Sequence, residues 1–239
     1  MKRKYLFIFT LILILIVIIF VIFIFKNGNR IELSFVFENY LNEEIPLFYQ
    51  DNDLNEVRTV LVDDIKQIFY AKNESTEYYS YLTINDIKYD IGSAHFSDIE
   101  NSNYILTKTE IFKDNYPIYK YYIYQGANYN DSVYFQIVDN KPIILMKIPN
   151  GFEFDNNNEI MTYTSRGISS SSSIYRWTDN GLYVSDLNTF FDAQHVQFEP
   201  SSNVISLIKE VDFQNPENNK VKKYKLKGTS IYDYWSIIK

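Results

Sequence analysis

The chain has no cysteine and only two histidines, His95 and His195, among its 239 residues. A thiol nucleophile and a multi-histidine zinc site of the common kinds are therefore excluded. No disulfide framework can staple the fold, so an ordinary apolar core must hold it. Glycine is scarce as well, at seven residues, and no Gly-x-Ser-x-Gly elbow occurs; the nearest string, Gly92-Ser-Ala-His95, does not complete it. Acids are absent from the first 30 positions and crowded into the rest. From residue 31 onward 18 Lys and Arg face 30 Asp and Glu, a net charge of −12. That balance argues against nucleic acid, whose phosphates need a basic footprint, and against docking on anionic headgroups beyond any membrane segment.

The first 30 residues hold the longest apolar stretch. Tyr5 to Phe25 carries no charge over 21 positions, which at about 1.5 Å per residue spans the roughly 30 Å of a hydrocarbon core. A cleaved signal peptide would have a shorter apolar core and a small-residue cleavage site; this run ends in Ile24-Phe25-Lys26-Asn27. A buried core helix would not be apolar on every face. The run is expected to be an uncleaved signal-anchor that crosses the membrane once. Lys2, Arg3 and Lys4 crowd its front, and basic residues stay cytoplasmic. The expectation is a cytoplasmic tail at 1–4, a transmembrane helix at 5–25, a short stalk at 26–30 and an extracytoplasmic domain at 31–239. The chain's Ile, Asn, Lys, Tyr and Phe content suggests an AT-rich bacterial genome.

Beyond the stalk, short runs rich in β-branched and aromatic residues recur: 31–37, 57–62, 81–84, 87–91, 118–124, 132–138, 142–148, 159–164, 173–177 and 181–187. Asn85-Asp86, Asp139-Asn140-Lys141 and Asp179-Asn180-Gly181 supply turn chemistry between them. The pattern predicts an all-β domain of antiparallel sheets. Asn39 to Leu47 and Asp186 to Val196 are the two helical candidates, and Asn215 to Lys225 reads as a polar loop leading into a last strand that ends in Tyr232, Tyr234 and Trp235. Sliding the chain by 41 residues places Gly126 on Gly167, Val133 on Ile174 and Tyr134 on Tyr175, and a one-residue slip aligns Asp139-Asn140 with Asp179-Asn180. A period near 40–45 is the size of a four-stranded propeller blade, so blade-like repeats are expected near 108–148 and 149–190. Two β-sandwich-like subdomains meeting near residue 100 are the alternative.

The strings Asp51-Asn-Asp-Leu-Asn-Glu-Val57 and Asp155-Asn-Asn-Asn-Glu-Ile160 share an Asp/Asn run, a Glu and a β-branched residue that opens a strand. This unit resembles a degenerate form of the FG-GAP or VCBS-type repeats of integrin-like β-propellers, whose loops read Asp-x-Asp-x-Asp-Gly. The stretch 133–188 is similar to poorly characterised envelope proteins of Gram-positive bacteria built on such repeats. The resemblance implies calcium in the loops. Only the first keeps Asp51, Asp53 and Asn55 at alternating positions, and both loops lack the glycine. A site there would be weak, on the order of 10⁻⁴ to 10⁻³ M. The competing reading is a solvated turn in which Asp and Asn bond their own backbone.

Two further features concern recognition. Arg166, Tyr175, Arg176 and Trp177 would present an aromatic, cationic face to a glycan or peptide, or else pack across strands. Tyr78, Tyr79 and Tyr81, like Tyr119, Tyr121, Tyr122 and Tyr124, put phenols on both faces of their strands, so that one face packs while the other meets solvent or a partner. Ser169 to Ser173 is expected to be a loop running into the next strand. The sequence thus points to a membrane-anchored, non-enzymatic domain with no cofactor, which binds an envelope protein or glycan. A wall-modifying hydrolase using paired carboxylates is the alternative, because their separation is not readable from sequence.

Overall fold

The computed structural model describes residues 14–18, 30–31, 33–39, 43–48, 54–72, 77–95, 99–100, 105–111, 117–124, 130–154, 158–163, 170–231, 233 and 235–238. The tail at 1–4, most of 5–25, and Asp51, Asp53, Asp155 and Arg166 lie outside them. Residues 14–18 are helical and their apolar side chains are exposed. Among the described residues no helix is long and apolar enough to cross a membrane.

Three two-residue strands come first: β1 (Arg30–Ile31), β2 (Glu38–Asn39) and β3 (Glu43–Glu44). Four antiparallel sheets follow, each built from four strands taken in chain order. The first contains β4 (Leu54–Val62), β5 (Ile65–Lys72), β6 (Glu77–Ile84) and β7 (Ile87–His95). The second contains β8 (Thr107–Thr109), β9 (Ile118–Tyr124), β10 (Asn130–Val138) and β11 (Lys141–Pro149). The third contains β12 (Gly151–Glu153), β13 (Glu159–Thr162), β14 (Ser173–Thr178) and β15 (Gly181–Asp186). The fourth contains β16 (His195–Glu199), β17 (Val204–Ile208), β18 (Lys222–Leu226) and β19 (Trp235–Ile238). The all-β, antiparallel expectation holds.

The turn dipeptides make this order possible. Asn85 and Asp86 between β6 and β7, and Asp139 and Asn140 between β10 and β11, all have positive φ, from 49° to 64°. Such turns twist with the strands they join, and Asn and Asp tolerate the left-handed region better than other side chains. Between β14 and β15 the positive φ falls instead on Gly181, at 115°. In the second and third sheets alike, these turns join the third strand to the fourth.

The sheets pack face to face in chain order. One apolar cluster, including Leu82, Tyr89, Tyr121 and Phe135, lies between the first and second sheets. Another, including Tyr134, Met146, Ile160 and Tyr175, lies between the second and third. The largest, with Met161, Ile174, Phe198, Leu226 and Trp235, lies between the third and fourth. The third sheet is therefore covered on both faces, which is why all four residues of β13 are buried.

The segment from 30 to 48 runs along the last strand of each sheet in reverse order. β1 pairs with β19, β2 with β15 and β3 with β11, and Leu47 bridges to Tyr89 of β7. This strap corrects three expectations. Arg30, expected in the stalk, is already paired with Ser236. Residues 33–37 belong to no strand, although Leu33, Phe35 and Phe37 alternate inward as a strand's would. The described part of the helical candidate 39–47 is extended, held by two-residue pairings on sheet edges. The second helical candidate narrows to Leu187–Phe191, capped by the Asp186 carboxylate, which accepts from Thr189 N–H at 2.6 Å. The polar loop is also shorter than expected, because β18 begins at Lys222.

The serine run joins the third sheet to the fourth. Ser170 and Ser172 are buried, their carbonyls accepting from Val196 N–H and Leu187 N–H, while the Ser172 hydroxyl donates to Val196 O at 3.1 Å. Ser170 Oγ lies 3.2 Å from His195 Nδ1. Small hydroxyl side chains can be buried here because each meets a partner.

Candidate functional site: the outer face of the first sheet

Strand register divides the first sheet into two faces. Ile65, Gln67, Leu82 and Tyr89 look toward the second sheet, and the Gln67 side chain donates to Ser80 Oγ at 2.9 Å and accepts from Leu106 N–H at 2.6 Å. On the opposite face three cross-strand rows stand side by side: Leu61, Lys66, Thr83 and Lys88; Thr59, Ile68, Tyr81 and Asp90; and Glu56, Tyr70, Tyr79 and Ser93.

This face is aromatic and carries a cation. The Phe48 ring, brought by the end of the strap, lies 3.9 Å from the Tyr81 ring, and Tyr70 meets Tyr81 edge-on at 5.4 Å. Lys88 Nζ sits 5.5 Å over the Tyr70 ring and 5.9 Å over Phe48, and donates to the Tyr70 hydroxyl at 3.3 Å. Phe48 is held in place because its N–H donates to Lys88 O and Asp90 N–H donates to Pro46 O. Around this packed centre, Leu61 is 63% exposed and Tyr79 38%. Rigid phenols with an apolar body and a polar tip, next to an exposed leucine, make a surface suited to stacking on a sugar ring or an extended peptide.

Of the residues expected to carry a site, Asp51, Asp53 and Arg166 lie outside the described residues, and the others are placed as follows. Asn55 and Glu56 lie in β4, exposed, and the Glu56 carboxylate accepts from the Thr59 hydroxyl at 2.7 Å. Among the described residues no group of three or more His, Asp or Glu is placed to hold a metal. Tyr175 is buried between the second and third sheets. Trp177 is half-buried at the border of that cluster. Arg176 points toward the strap: its guanidinium carbon is 3.7 Å from the Phe37 ring centre and its Nε is 3.6 Å from Glu159 Oε1. Burial lowers the Arg176 pKa from the usual arginine range, and Glu159 opposes the shift.

A carboxylate crosses each seam between sheets. Asp63 of the first sheet accepts from Tyr119 Oη at 2.9 Å and from Lys108 Nζ at 3.0 Å, both from the second. Glu153 of the third accepts from Tyr134 Oη at 2.9 Å and pairs with Lys120 at 3.4 Å. Glu159 of the third accepts from Ser230 Oγ and Ile231 N–H of the fourth, each at 3.2 Å. The hydrogen bond and charge of Lys108, with the Tyr119 hydroxyl, hold Asp63 below the usual carboxylate range. Burial first, and then the bond to Asp63, push Tyr119 up to about 12. Burial also raises Tyr121 and Tyr134, the latter helped by Glu153.

A phenol whose pKa rises on folding adds stability that is complete below its unfolded value near 10 and is lost as pH climbs to the folded value. Alkaline titration followed by phenolate absorbance tests this, with the ordinary phenol value near 10 as the reference. Tyr119, Tyr121 and Tyr134 should ionise later, together with unfolding. A single transition containing all the phenols, with the fold intact, would contradict these seams.

Comparison with protein-family models, with curated proteins and with solved structures finds no match to this chain. Its candidate surface therefore stands on its own geometry. Phe48 and Lys88 were not foreseen in that surface. The aromatic doublet Tyr78-Tyr79 was the available signal, and the sheet's register decides which phenol turns outward.

Proposed function

We propose that the chain is a membrane-anchored, extracytoplasmic, non-enzymatic domain of blade-like β-repeats. It binds an envelope protein or glycan through the outer face of its first sheet. The observation that carries the reading is the set of Phe48, Tyr70, Tyr81 and Lys88, packed rigidly on a face whose rim, Leu61 and Tyr79, is open. Preorganised aromatics bind with little loss of side-chain freedom. The carboxylates at the seams already hold tyrosines, lysines and backbone N–H groups, a structural use that favours binding over hydrolysis. The anchor is supported by the 21-residue uncharged run and by the exposed apolar side chains of its helical part at 14–18. The blade reading is supported by four successive four-stranded meanders packed face to face. On this reading the Tyr5–Phe25 segment sits in the membrane with its amino terminus inside.

The test is retention of cell-wall polymers and envelope proteins by the full chain in detergent, with polymer turnover measured in parallel. Retention without turnover is expected, and Tyr79→Ala combined with Leu61→Ser should weaken it at least tenfold, the scale of a modest hot spot of about 1.4 kcal/mol. Retention that ignores both substitutions, or release of soluble fragments from the polymer, would refute the assignment.

A further inference from the structure

The domain is acidic as a whole, yet residues 218–227 hold five lysines, Lys220, Lys222, Lys223, Lys225 and Lys227, and no acid. β18 carries three of them and lies inside the fourth sheet, between β17 and β19. Register puts Lys223 and Lys225 on the face of that sheet opposite the core, Lys223 beside Ser206 and Lys225 in one row with Ser236, the buried Val204 and Glu199. Among the described residues no carboxylate forms an ion pair with any of the five.

Next to this basic strip the loop entering β18 exposes two apolar side chains, Phe213 at 62% and Val221 at 52%. The loop is built to hold its shape. The Asp212 carboxylate accepts from the N–H groups of Gln214 and Asn215 at 3.0 and 2.9 Å, and Asp212 N–H donates to Asn219 Oδ1 at 2.7 Å. Phe213 lies between these tethered positions.

The fourth sheet is also where the chain arrives from the apolar run. β1 begins at Arg30 and pairs with Ser236 and Trp235 of β19, the neighbour of β18. From Phe25 to Arg30 the chain can span at most about 17 Å, five steps of some 3.3–3.6 Å. The sheet with the lysine strip is therefore the one tethered closest to the bilayer.

We infer that the outer face of the fourth sheet, with Lys223, Lys225 and the Phe213 loop, docks on anionic lipid headgroups of the membrane that anchors the chain. The inference rests on the anchor proposed above. The lysines supply attraction within a Debye length of the surface, and Phe213 and Val221 reach the interfacial layer. The net negative charge of the domain as a whole disfavours approach by faces without such a strip, which biases its orientation.

The absence of cysteine makes single-site labelling direct. Full chain carrying Asn218→Cys, or Lys66→Cys on the first sheet as a control, is labelled with a fluorophore and reconstituted. The vesicles are phosphatidylcholine alone or an equal mixture with phosphatidylglycerol. Access of a water-soluble quencher to the label at 218 should fall in the mixed vesicles and stay unchanged at 66. Lys223→Gln and Lys225→Gln should each reduce the docked-to-free ratio about fivefold. Salt near 1 M, where the Debye length is about 3 Å, should abolish the protection of the unsubstituted surface. Equal quenching at 218 in both vesicle types overturns the inference. So does protection in neutral vesicles that appears on adding soluble polyphosphate, which would assign the strip to a polyanionic polymer. A chain that fails to co-float with neutral vesicles refutes the anchor itself, and flotation reads that outcome separately.

Discussion

Glu159→Leu is expected to destabilise the fold by about 3–5 kcal/mol, because it breaks a buried charge pair by removing one partner. Glu159 is 1% exposed in the middle of the third sheet. Its carboxylate accepts from Ser230 Oγ and Ile231 N–H, and faces Arg176 Nε at 3.6 Å. Leucine would leave the guanidinium against Phe37 without its counter-charge and the Ile231 amide without its acceptor. The double substitution Glu159→Leu with Arg176→Met should recover most of the loss, since replacing both members of such a pair by apolar groups is often close to neutral. Denaturant midpoints of the full chain in detergent, at constant slope, check both. A loss below about 1 kcal/mol for the single change would mean that solvent reaches the pair.

Trp235→Ala should cost a comparable amount, about 3–5 kcal/mol, the range for truncating a buried large aromatic. Trp235 is fully buried in β19 and pairs across both neighbours, with Ile31 of the strap and with Leu226 of β18. Its indole N–H donates to Ile231 O at 3.1 Å, and Phe35 of the strap meets it edge-on at 6.5 Å. Trp235→Phe keeps the packing and removes only the hydrogen bond, so it should cost closer to 1 kcal/mol. The informative measurement is protease susceptibility of the 30–48 segment alongside the thermal midpoint. Trp235→Ala should expose the strap to cleavage under conditions where the phenylalanine variant resists. Equal resistance of both would show that the strap does not depend on this residue.

The two substitutions also show where the sequence could be read. Class and turns were legible because alternation and Asn/Asp dipeptides are local: β9 occupies 118–124 as expected, and the dipeptides at 85–86 and 139–140 form the hairpin turns. β5 was not foreseen, nor were the three-residue strands β8 and β12, which are too short to show a period. β17 was missed because Val204, Ile205, Leu207 and Ile208 are all buried, and a run buried on both faces has no alternation to detect, while the last strand, expected to end at Trp235, begins there instead. The strap shows the converse: Leu33, Phe35 and Phe37 alternate without belonging to any strand, because side-chain period reports burial and not hydrogen bonding. Sequence left two readings open for Tyr175 and Arg176, a binding face or packing across strands, and the third sheet, with a neighbour on each face, draws both inward. The first sheet has an uncovered face, so Tyr79 and Leu61 stay outside.

The strap implies an order of events as the chain is made. It leaves the ribosome before any of its partners exist, and those partners appear in the reverse of its own order. β7 can receive Leu47 first, then β11 receives β3, β15 receives β2, and β19 receives β1 last. Ile31 must wait for Trp235, about 200 positions later, and contacts so distant are among the slowest to form. Closure therefore travels toward the amino terminus while synthesis travels away from it, and the strap is complete only once β19 has emerged. A chain interrupted before residue 235 would keep three folded sheets and a loose amino-terminal segment, a ready point of proteolytic attack.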